Sequence, residues 1–101
     1  MTKWIKIGLF KDYQIGNKWE IEANKKRLAL FRYQGRYYAI KNTCLHQGYP
    51  LSEGACTDNM VECPLHGWVY DFTTGECLSL KDKKTVTYKV RRVDEFLEVQ
   101  I

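Results

Sequence analysis

Short stretches in which apolar and polar residues alternate recur along most of this chain, and no long stretch repeats with the period of a helix. Strict alternation places successive side chains on opposite faces of the backbone, which is typical of β-strands with one buried face. The sequence therefore predicts strands throughout. The predicted strands are residues 5–9, 19–23, 28–33, 36–41, 69–72, 85–90 and 97–101.

Turn-forming residues separate these stretches. Gln34-Gly35 predicts a tight hairpin, and Asn24-Lys25-Lys26, Asp58-Asn59 and Asp94-Glu95 predict further turns. Because strands joined by short turns pair antiparallel, the fold class predicted is all-β, with an antiparallel sandwich or partial barrel. Residues 12–17, 49–54 and 81–84 are predicted to be loops or irregular segments.

Two short motifs interrupt the strand pattern: Cys44-Leu45-His46 and Cys63-Pro64-Leu65-His66. Sixteen residues separate His46 from Cys63, and these histidines are the only two in the chain. A zinc finger usually groups its ligands as a cysteine pair and then a histidine pair, whereas here each arm carries one thiolate and one imidazole. That arrangement suits two different metal atoms, one bound by both thiolates and one by both imidazoles, as in a Rieske [2Fe–2S] centre.

The chain resembles the Rieske-type iron–sulfur proteins in these residues: Cys-x-His, a gap of sixteen residues, then Cys-x-x-His. Gly48, Pro64 and Gly67 agree with the family pattern as well, and the remaining strand pattern resembles that of the small soluble ferredoxins of the family. The resemblance implies that Cys44 and Cys63 bind one iron of a [2Fe–2S] cluster and that His46 and His66 bind the other. It also implies one Rieske domain over residues 1–101, with an inserted cluster-binding subdomain at about residues 42–79.

A soluble electron-transport role follows from the same resemblance. The protein would carry one electron at a time from a flavin- or nicotinamide-linked reductase to a terminal oxygenase, and it would serve an oxidoreductase system without being an enzyme alone. Leu45, Gln47, Leu65 and Trp68 would then rim a docking surface for these redox partners. Two alternatives stay open: a small subunit of a larger redox enzyme, such as assimilatory nitrite reductase, and a structural zinc module, because two Cys and two His also satisfy zinc.

Departures from the high-potential members of the family predict a low reduction potential. Those members add a cysteine to each cluster loop and join the two by a disulfide, whereas Tyr49 and Leu65 stand in the corresponding places here. They also carry a serine hydroxyl two residues after the second histidine, where this chain has Trp68. The sequence thus predicts a potential toward the lower end of the Rieske range of about −150 to +300 mV.

Composition and charge restrict the other functions of the chain. A length of 101 residues with 45% hydrophobic residues is typical of one folded domain. The net charge of +4 comes largely from residues 25–27, 81–84 and 91–92, and intervening carboxylates favour a solvated surface over a nucleic-acid site. No segment has the length of a signal peptide or a membrane span, so we expect a cytoplasmic protein without a membrane partner. Cys56 and Cys77 lie outside the motifs and are predicted to be small packed residues and not ligands.

Overall fold

The computed structural model describes residues 3–45, 48–65 and 67–101, so His46, Gln47 and His66 of the two motifs lie outside the described residues. Within the described residues the chain forms strands and two short 3-10 helices, and no α-helix, which confirms the predicted all-β class. None of these residues forms a helix that is long and apolar enough to cross a membrane. The strands are β1 Trp4–Leu9, β2 Lys18–Ala23, β3 Lys26–Tyr33, β4 Arg36–Lys41, β5 Ala55–Thr57, β6 Met60–Glu62, β7 Val69–Asp71, β8 Thr87–Tyr88, β9 Val90–Val93 and β10 Phe96–Gln100, and the 3-10 helices are Phe10–Tyr13 and Leu51–Glu53.

The described strands form three sheets in which neighbouring strands run antiparallel. The strand orders are β2-β3-β4-β8, β1-β10-β9 and β5-β6-β7. The third sheet is formed entirely by chain that lies between β4 and β8. It lies within residues 42–79, for which the family resemblance implies an inserted subdomain.

The central strand β3 is buried on both of its faces. Leu28 and Leu30 pack with Leu97 and Val99 in what we call the base core, and Ala29 and Phe31 point to the opposite side. A strand that is covered on both faces needs a continuous apolar run, and residues 28–31 provide one. The opposite side is the subdomain core, formed by Ala29, Phe31, Ile40, Cys44, Leu51, Val61, Cys63, Tyr70, Phe72 and Cys77.

Ring stacking joins the β2-β3-β4-β8 sheet, which we call the central sheet, to the chain that carries the third sheet. The rings of Phe31 and Phe72 are parallel to within 4°, and their centroids are 4.5 Å apart. Stacked aromatic pairs stabilise a fold by about 0.5–1.5 kcal/mol beyond the burial of their area. The chain between β4 and β8 therefore packs directly on the central sheet.

Two-residue turns connect β2 to β3 and β3 to β4 in the central sheet. Gln34 and Gly35 have positive φ angles of 52° and 74° between β3 and β4, as the predicted tight hairpin requires. Between β2 and β3 the turn consists of Asn24 and Lys25, with φ angles of 51° and 66°. Lys26 is the first residue of β3, so its predicted place in the turn was wrong.

The predicted strand at residues 85–90 is divided between two sheets. Tyr88 in β8 pairs with Ala39 in the central sheet, whereas Val90 in β9 pairs with Val99 of β10. Residues 85 and 86 lie outside any strand, so the predicted strand began two residues too early, and alternation carries no information about the partner strand. The chain thus passes from one sheet to the next at Lys89.

Strand β9 contains the basic pair Arg91-Arg92, for which the sequence favours a solvated surface. Arg91 lies over the ring of Trp4 at 4.0 Å and forms a 2.8 Å salt bridge with Glu98, and Arg92 lies over the ring of Phe10 at 3.8 Å. Both guanidinium groups are therefore part of the packing of the β1-β10-β9 sheet. A polar residue type alone does not reveal such contacts.

Candidate metal centre

The first motif lies in a tight loop that follows β4. The backbone N–H of Cys44 donates to the carbonyl oxygen of Tyr49 at 2.7 Å, and the N–H of Gly48 donates back to the carbonyl oxygen of Cys44 at 2.8 Å. Gly48 has a φ of 68°, a left-handed conformation that costs an ordinary residue about 1–2 kcal/mol. A glycine at this position therefore allows the loop to be this short.

The second motif repeats the same arrangement between β6 and β7. The N–H of Cys63 donates to the carbonyl oxygen of Trp68 at 2.7 Å, and the N–H of Gly67 donates to the carbonyl oxygen of Cys63 at 2.9 Å. Gly67 has a φ of 74°. Each cysteine is therefore the first residue of a turn with the same two hydrogen bonds, which the spacing of the motifs did not by itself reveal.

Both motif cysteines point inward. Cys44 is 4% exposed and Cys63 is 1% exposed, and both belong to the subdomain core. All four cysteines of the chain are described, and none forms a disulfide bond. Two buried thiols in matched turns fit a soft metal such as iron or zinc, which binds thiolate strongly. The two histidines that the sequence predicted as further ligands, His46 and His66, lie outside the described residues.

The remaining cysteines stand apart from the two loops. Cys77 is 5% exposed within the subdomain core, and Cys56 in β5 is half-buried against it. Burial raises the pKa of the Cys56 thiol, although the nearby Lys18 ammonium acts in the opposite direction. Both side chains pack in or against the subdomain core, as predicted for small packed residues.

Tyr70 has a polar contact that the sequence did not reveal. The side chain is fully buried, and its hydroxyl oxygen lies 3.3 Å from Sγ of Cys44. The same oxygen accepts a hydrogen bond from the backbone N–H of Leu45 at 2.9 Å. Burial and the Cys44 contact raise the Tyr70 pKa above its usual value, so the hydroxyl keeps its proton. That proton can be donated to the sulfur when Cys44 is a thiolate.

One feature of the sequence could have pointed to this contact. A tyrosine on the buried face of a strand needs a partner for its hydroxyl, and the strand β7 begins directly after the second loop. The contact also joins the two cysteine loops. Cys44 begins the first one, which we call loop one, and Tyr70 follows the second one, which begins at Cys63 and which we call loop two. Among the described residues, this contact brings the first motif against the strand that follows the second motif.

Asn42 holds the first loop on the central sheet. Its side-chain amide group donates to Oε2 of Glu20 at 2.7 Å and to Oγ of Ser52 at 2.9 Å, and its side-chain oxygen accepts from the Ser52 N–H at 2.7 Å. The backbone N–H of Asn42 donates to the carbonyl oxygen of Arg27 at 3.1 Å. Asn42 is 2% exposed. One buried side chain thus connects β2, the start of loop one and the 3-10 helix Leu51–Glu53.

Comparisons with known proteins identify the family of this chain. The family model that describes the Rieske [2Fe-2S] domain matches residues 3–94 of this chain. The ferredoxin component of the naphthalene 1,2-dioxygenase/salicylate 5-hydroxylase systems of Ralstonia sp is 31% identical over 96% of this chain and 96% of its own length. The ferredoxin component of the naphthalene 1,2-dioxygenase system of Pseudomonas putida is 32% identical over 89% of this chain and 88% of its own length.

Solved structures show the same fold. A chain in the complex of reduced oxygenase and oxidized ferredoxin of carbazole 1,9a-dioxygenase superimposes with a TM-score of 0.84 at 28% identity, covering 95% of this chain and 91% of that chain. The ferredoxin of carbazole 1,9a-dioxygenase from Nocardioides aromaticivorans IC177 has a TM-score of 0.86 at 22% identity, with 96% of both chains covered. This protein belongs to the Rieske [2Fe–2S] family. Its cofactor is a Rieske-type [2Fe–2S] cluster, which favours the iron–sulfur interpretation of the motifs over the structural zinc module.

The contact between Tyr70 and Cys44 should raise the reduction potential. A hydrogen bond to a thiolate stabilises the more negative, reduced state more than the oxidised state, so Tyr70→Phe should lower the midpoint potential. A difference of about 1 kcal/mol between the two states corresponds to about 40 mV for one electron. Direct voltammetry of the iron-loaded protein measures the shift.

Tyr88→Phe is the matched control, because this tyrosine is partly buried in β8 and packs against the base core. The midpoint reduction potential of the Tyr88→Phe variant should stay at the wild-type value. A Tyr70→Phe protein with intact iron content and an unchanged potential would show that the hydroxyl does not act on the sulfur.

Proposed function

We propose that this protein is a ferredoxin that takes electrons one at a time from a flavin- or nicotinamide-linked reductase and passes them to a terminal oxygenase. The observation that carries the proposal is the pair of matched turns, in which Cys44 and Cys63 are buried while the next apolar residues, Leu45 and Leu65, are exposed. A redox centre just beneath a surface suits transfer between proteins. The relatives named as ferredoxin components of dioxygenase systems support the same role. In this role the chain transfers electrons and catalyses no reaction by itself.

The ligand set that we propose is Cys44 and Cys63 on one iron and His46 and His66 on the other. When bound, the cluster supplies a site that gains and loses one electron. The chain's own residues bury the two thiolates, exclude water from one side and direct the Tyr70 hydroxyl at Cys44. The backbone turns at Gly48 and Gly67 hold each cysteine in one conformation, which limits rearrangement when the charge changes.

We also propose that residues 1–101 form one Rieske domain with a cluster-binding subdomain at about residues 42–79, and that the protein acts in the cytoplasm. The match of the family model to residues 3–94 and the position of the third sheet between β4 and β8 support the domain assignment. The likeness to ferredoxin components of dioxygenase systems supports the location. Redox proteins are the expected partners, without nucleic acid or membrane.

The docking surface that we propose is the apolar tip, which consists of Leu45, Tyr49 and Leu65. These side chains are 44%, 36% and 42% exposed, and each lies on one of the two cysteine loops or closes it. The buried core of an interface is more apolar than its rim, and a few well-packed side chains there carry most of the binding energy. A partner seated on this tip would approach the metal site closely.

Electron transfer to an oxygenase tests the function. The purified protein should hold about two iron and two acid-labile sulfides per chain. After reduction it should pass its electron to the purified oxygenase component of the Pseudomonas putida naphthalene dioxygenase system, which is chosen because the ferredoxin of that system is a relative. Stopped-flow absorbance follows the transfer. A colourless protein with stoichiometric zinc, grown with adequate iron, would refute the proposal.

Charge on the apolar tip should slow this transfer. Leu65→Asp should lower the second-order rate constant by about tenfold, because burying an unpaired carboxylate in an interface costs more than 1.4 kcal/mol. The iron content should not change. Ile15→Asp is the control, since Ile15 is 91% exposed and lies outside both loops. Equal rates for the two variants would exclude the apolar tip as the docking surface.

A further inference from the structure

A groove with a basic lining lies beside the first cysteine loop. Its volume is about 460 Å³, and we call it the strand-end groove. It forms where the start of β3, the end of β4 and the segment before β8 meet. The groove is lined by Lys26, Arg27, Lys41, Thr43, Val86 and Tyr88.

The backbone keeps these residues together. Lys41 is opposite Leu28 in the β3–β4 pairing, two positions from Lys26, and its N–H donates to the carbonyl oxygen of Val86 at 3.0 Å. Val86 is 51% exposed, so an apolar side chain lies open between the charged ones. The groove is therefore a fixed feature of the strand ends, with charged walls around an apolar patch.

The charge of the groove is only partly compensated. Arg27 forms a 2.9 Å salt bridge with Glu20, and Glu22 is a second nearby carboxylate. Neither Lys26 nor Lys41 forms a salt bridge with any residue in the part of the chain that the structure describes. None of the lining residues is acidic. The groove is thus positively charged, and a carboxylate from another molecule would meet unpaired ammonium groups.

The position of the groove connects it to the metal site. Thr43 lines the groove and is the residue before Cys44, and Asn42 is bonded to the Arg27 carbonyl oxygen. Arg36, another basic residue of this sheet, is at the opposite end of β4, about 17 Å from Lys41 along the strand. Positive charge at the near end would therefore act on a molecule that approaches the cysteine loops.

We propose that the strand-end groove binds an acidic surface segment of the redox protein that exchanges electrons with this chain. The proposal rests on the carrier function proposed above and adds the charge of the partner. Carboxylates of the partner would pair with Lys26 and Lys41, and an apolar side chain between them would contact Val86. Opposite charges at the edge of an interface mainly raise the association rate and fix the orientation of the two proteins. The groove would thus orient the partner over the neighbouring apolar tip.

Two electron acceptors of opposite charge test the proposal. The iron-loaded protein is reduced and mixed with acidic cytochrome b5 or with basic cytochrome c in a stopped-flow instrument at several salt concentrations. Lys26→Glu/Lys41→Glu should lower the rate constant with cytochrome b5 by about tenfold at low salt and should remove most of its salt dependence. The matched control is Lys11→Glu/Arg36→Glu, which makes the same change in net charge on exposed residues outside the groove.

The outcomes separate the two proposals. A loss with cytochrome b5 that is at least severalfold larger for the groove variant than for the control supports the groove. Equal losses for the two variants, or no loss for either, would overturn it while leaving the carrier function intact. A wild-type protein with two irons that reduces neither cytochrome would contradict the carrier function itself and the groove with it. Iron content and the reduction potential of each variant confirm that the redox centre is unchanged.

Discussion

Replacing Cys44 or Cys63 by serine should abolish binding of the iron–sulfur cluster. Both thiols are buried in the subdomain core at the start of matched turns, and a hydroxyl cannot supply the soft anionic ligand that iron requires there. The variants should lose the visible absorption and retain less than about a tenth of the wild-type iron. Iron and labile sulfide analysis together with the visible spectrum measure this loss.

Cys56→Ala and Cys77→Ala are the controls for this experiment. Cys77 is as buried as the motif cysteines, so it also controls for the effect of altering a packed thiol. Both variants should keep the full iron content even though Cys77→Ala loses some packing. Loss of iron from either one, in a protein that still has its far-ultraviolet spectrum, would show that the ligands were assigned wrongly.

Asn42→Ala should destabilise the folded protein by about 2–3 kcal/mol. Alanine removes three side-chain hydrogen bonds at a site that is 2% exposed, and the Ser52 N–H and the Glu20 carboxylate both lose a partner. For a chain of this length the loss corresponds to a decrease in Tm of about 10 °C or more. Thermal unfolding of the iron-loaded protein without oxygen, followed by circular dichroism, gives the shift.

The rate at which a chelator removes iron should rise in the same variant, because the start of loop one is no longer tied to β2 and to the 3-10 helix. Asn59→Ala serves as the comparison, since its side chain makes a single 3.0 Å bond to Asp71. That variant should lose about 1 kcal/mol or less. If Asn42→Ala melts within about 3 °C of Asn59→Ala, the network does not stabilise the fold as inferred.

The basic groove and the basic pair of β9 show how charge depends on its place in the fold. Along the sequence, residues 25–27 and 91–92 are equivalent patches of positive charge. In the structure Arg91 and Arg92 stack on aromatic rings and Arg91 is paired with Glu98, whereas Lys26 and Lys41 share an open groove beside the metal loop. The arginines of β9 are thus used for packing, whereas the lysines of the groove are available to a partner.

The sequence by itself determined the fold class and the family. Alternation of apolar and polar residues depends only on local geometry, so it identified most of the strands outside β5 and β6, and the turn residues Gln34-Gly35 identified the hairpin between β3 and β4. The apolar run at residues 28–31 needs both faces covered wherever it is placed. The two Cys/His motifs carry their ligand chemistry within a few residues of chain, and their resemblance to the Rieske proteins was confirmed by the family match to residues 3–94.

Only the tertiary structure decided which distant residues meet. The bond between Tyr70 and Cys44 joins residues 26 positions apart, and Asn42 is 22 positions from Glu20. The crossing from β8 to β9 at Lys89 depends on which strand edges are open, because each half of one extended segment pairs with a different sheet. Such contacts depend on how the sheets pack against one another, and alternation along a single strand contains no information about that packing.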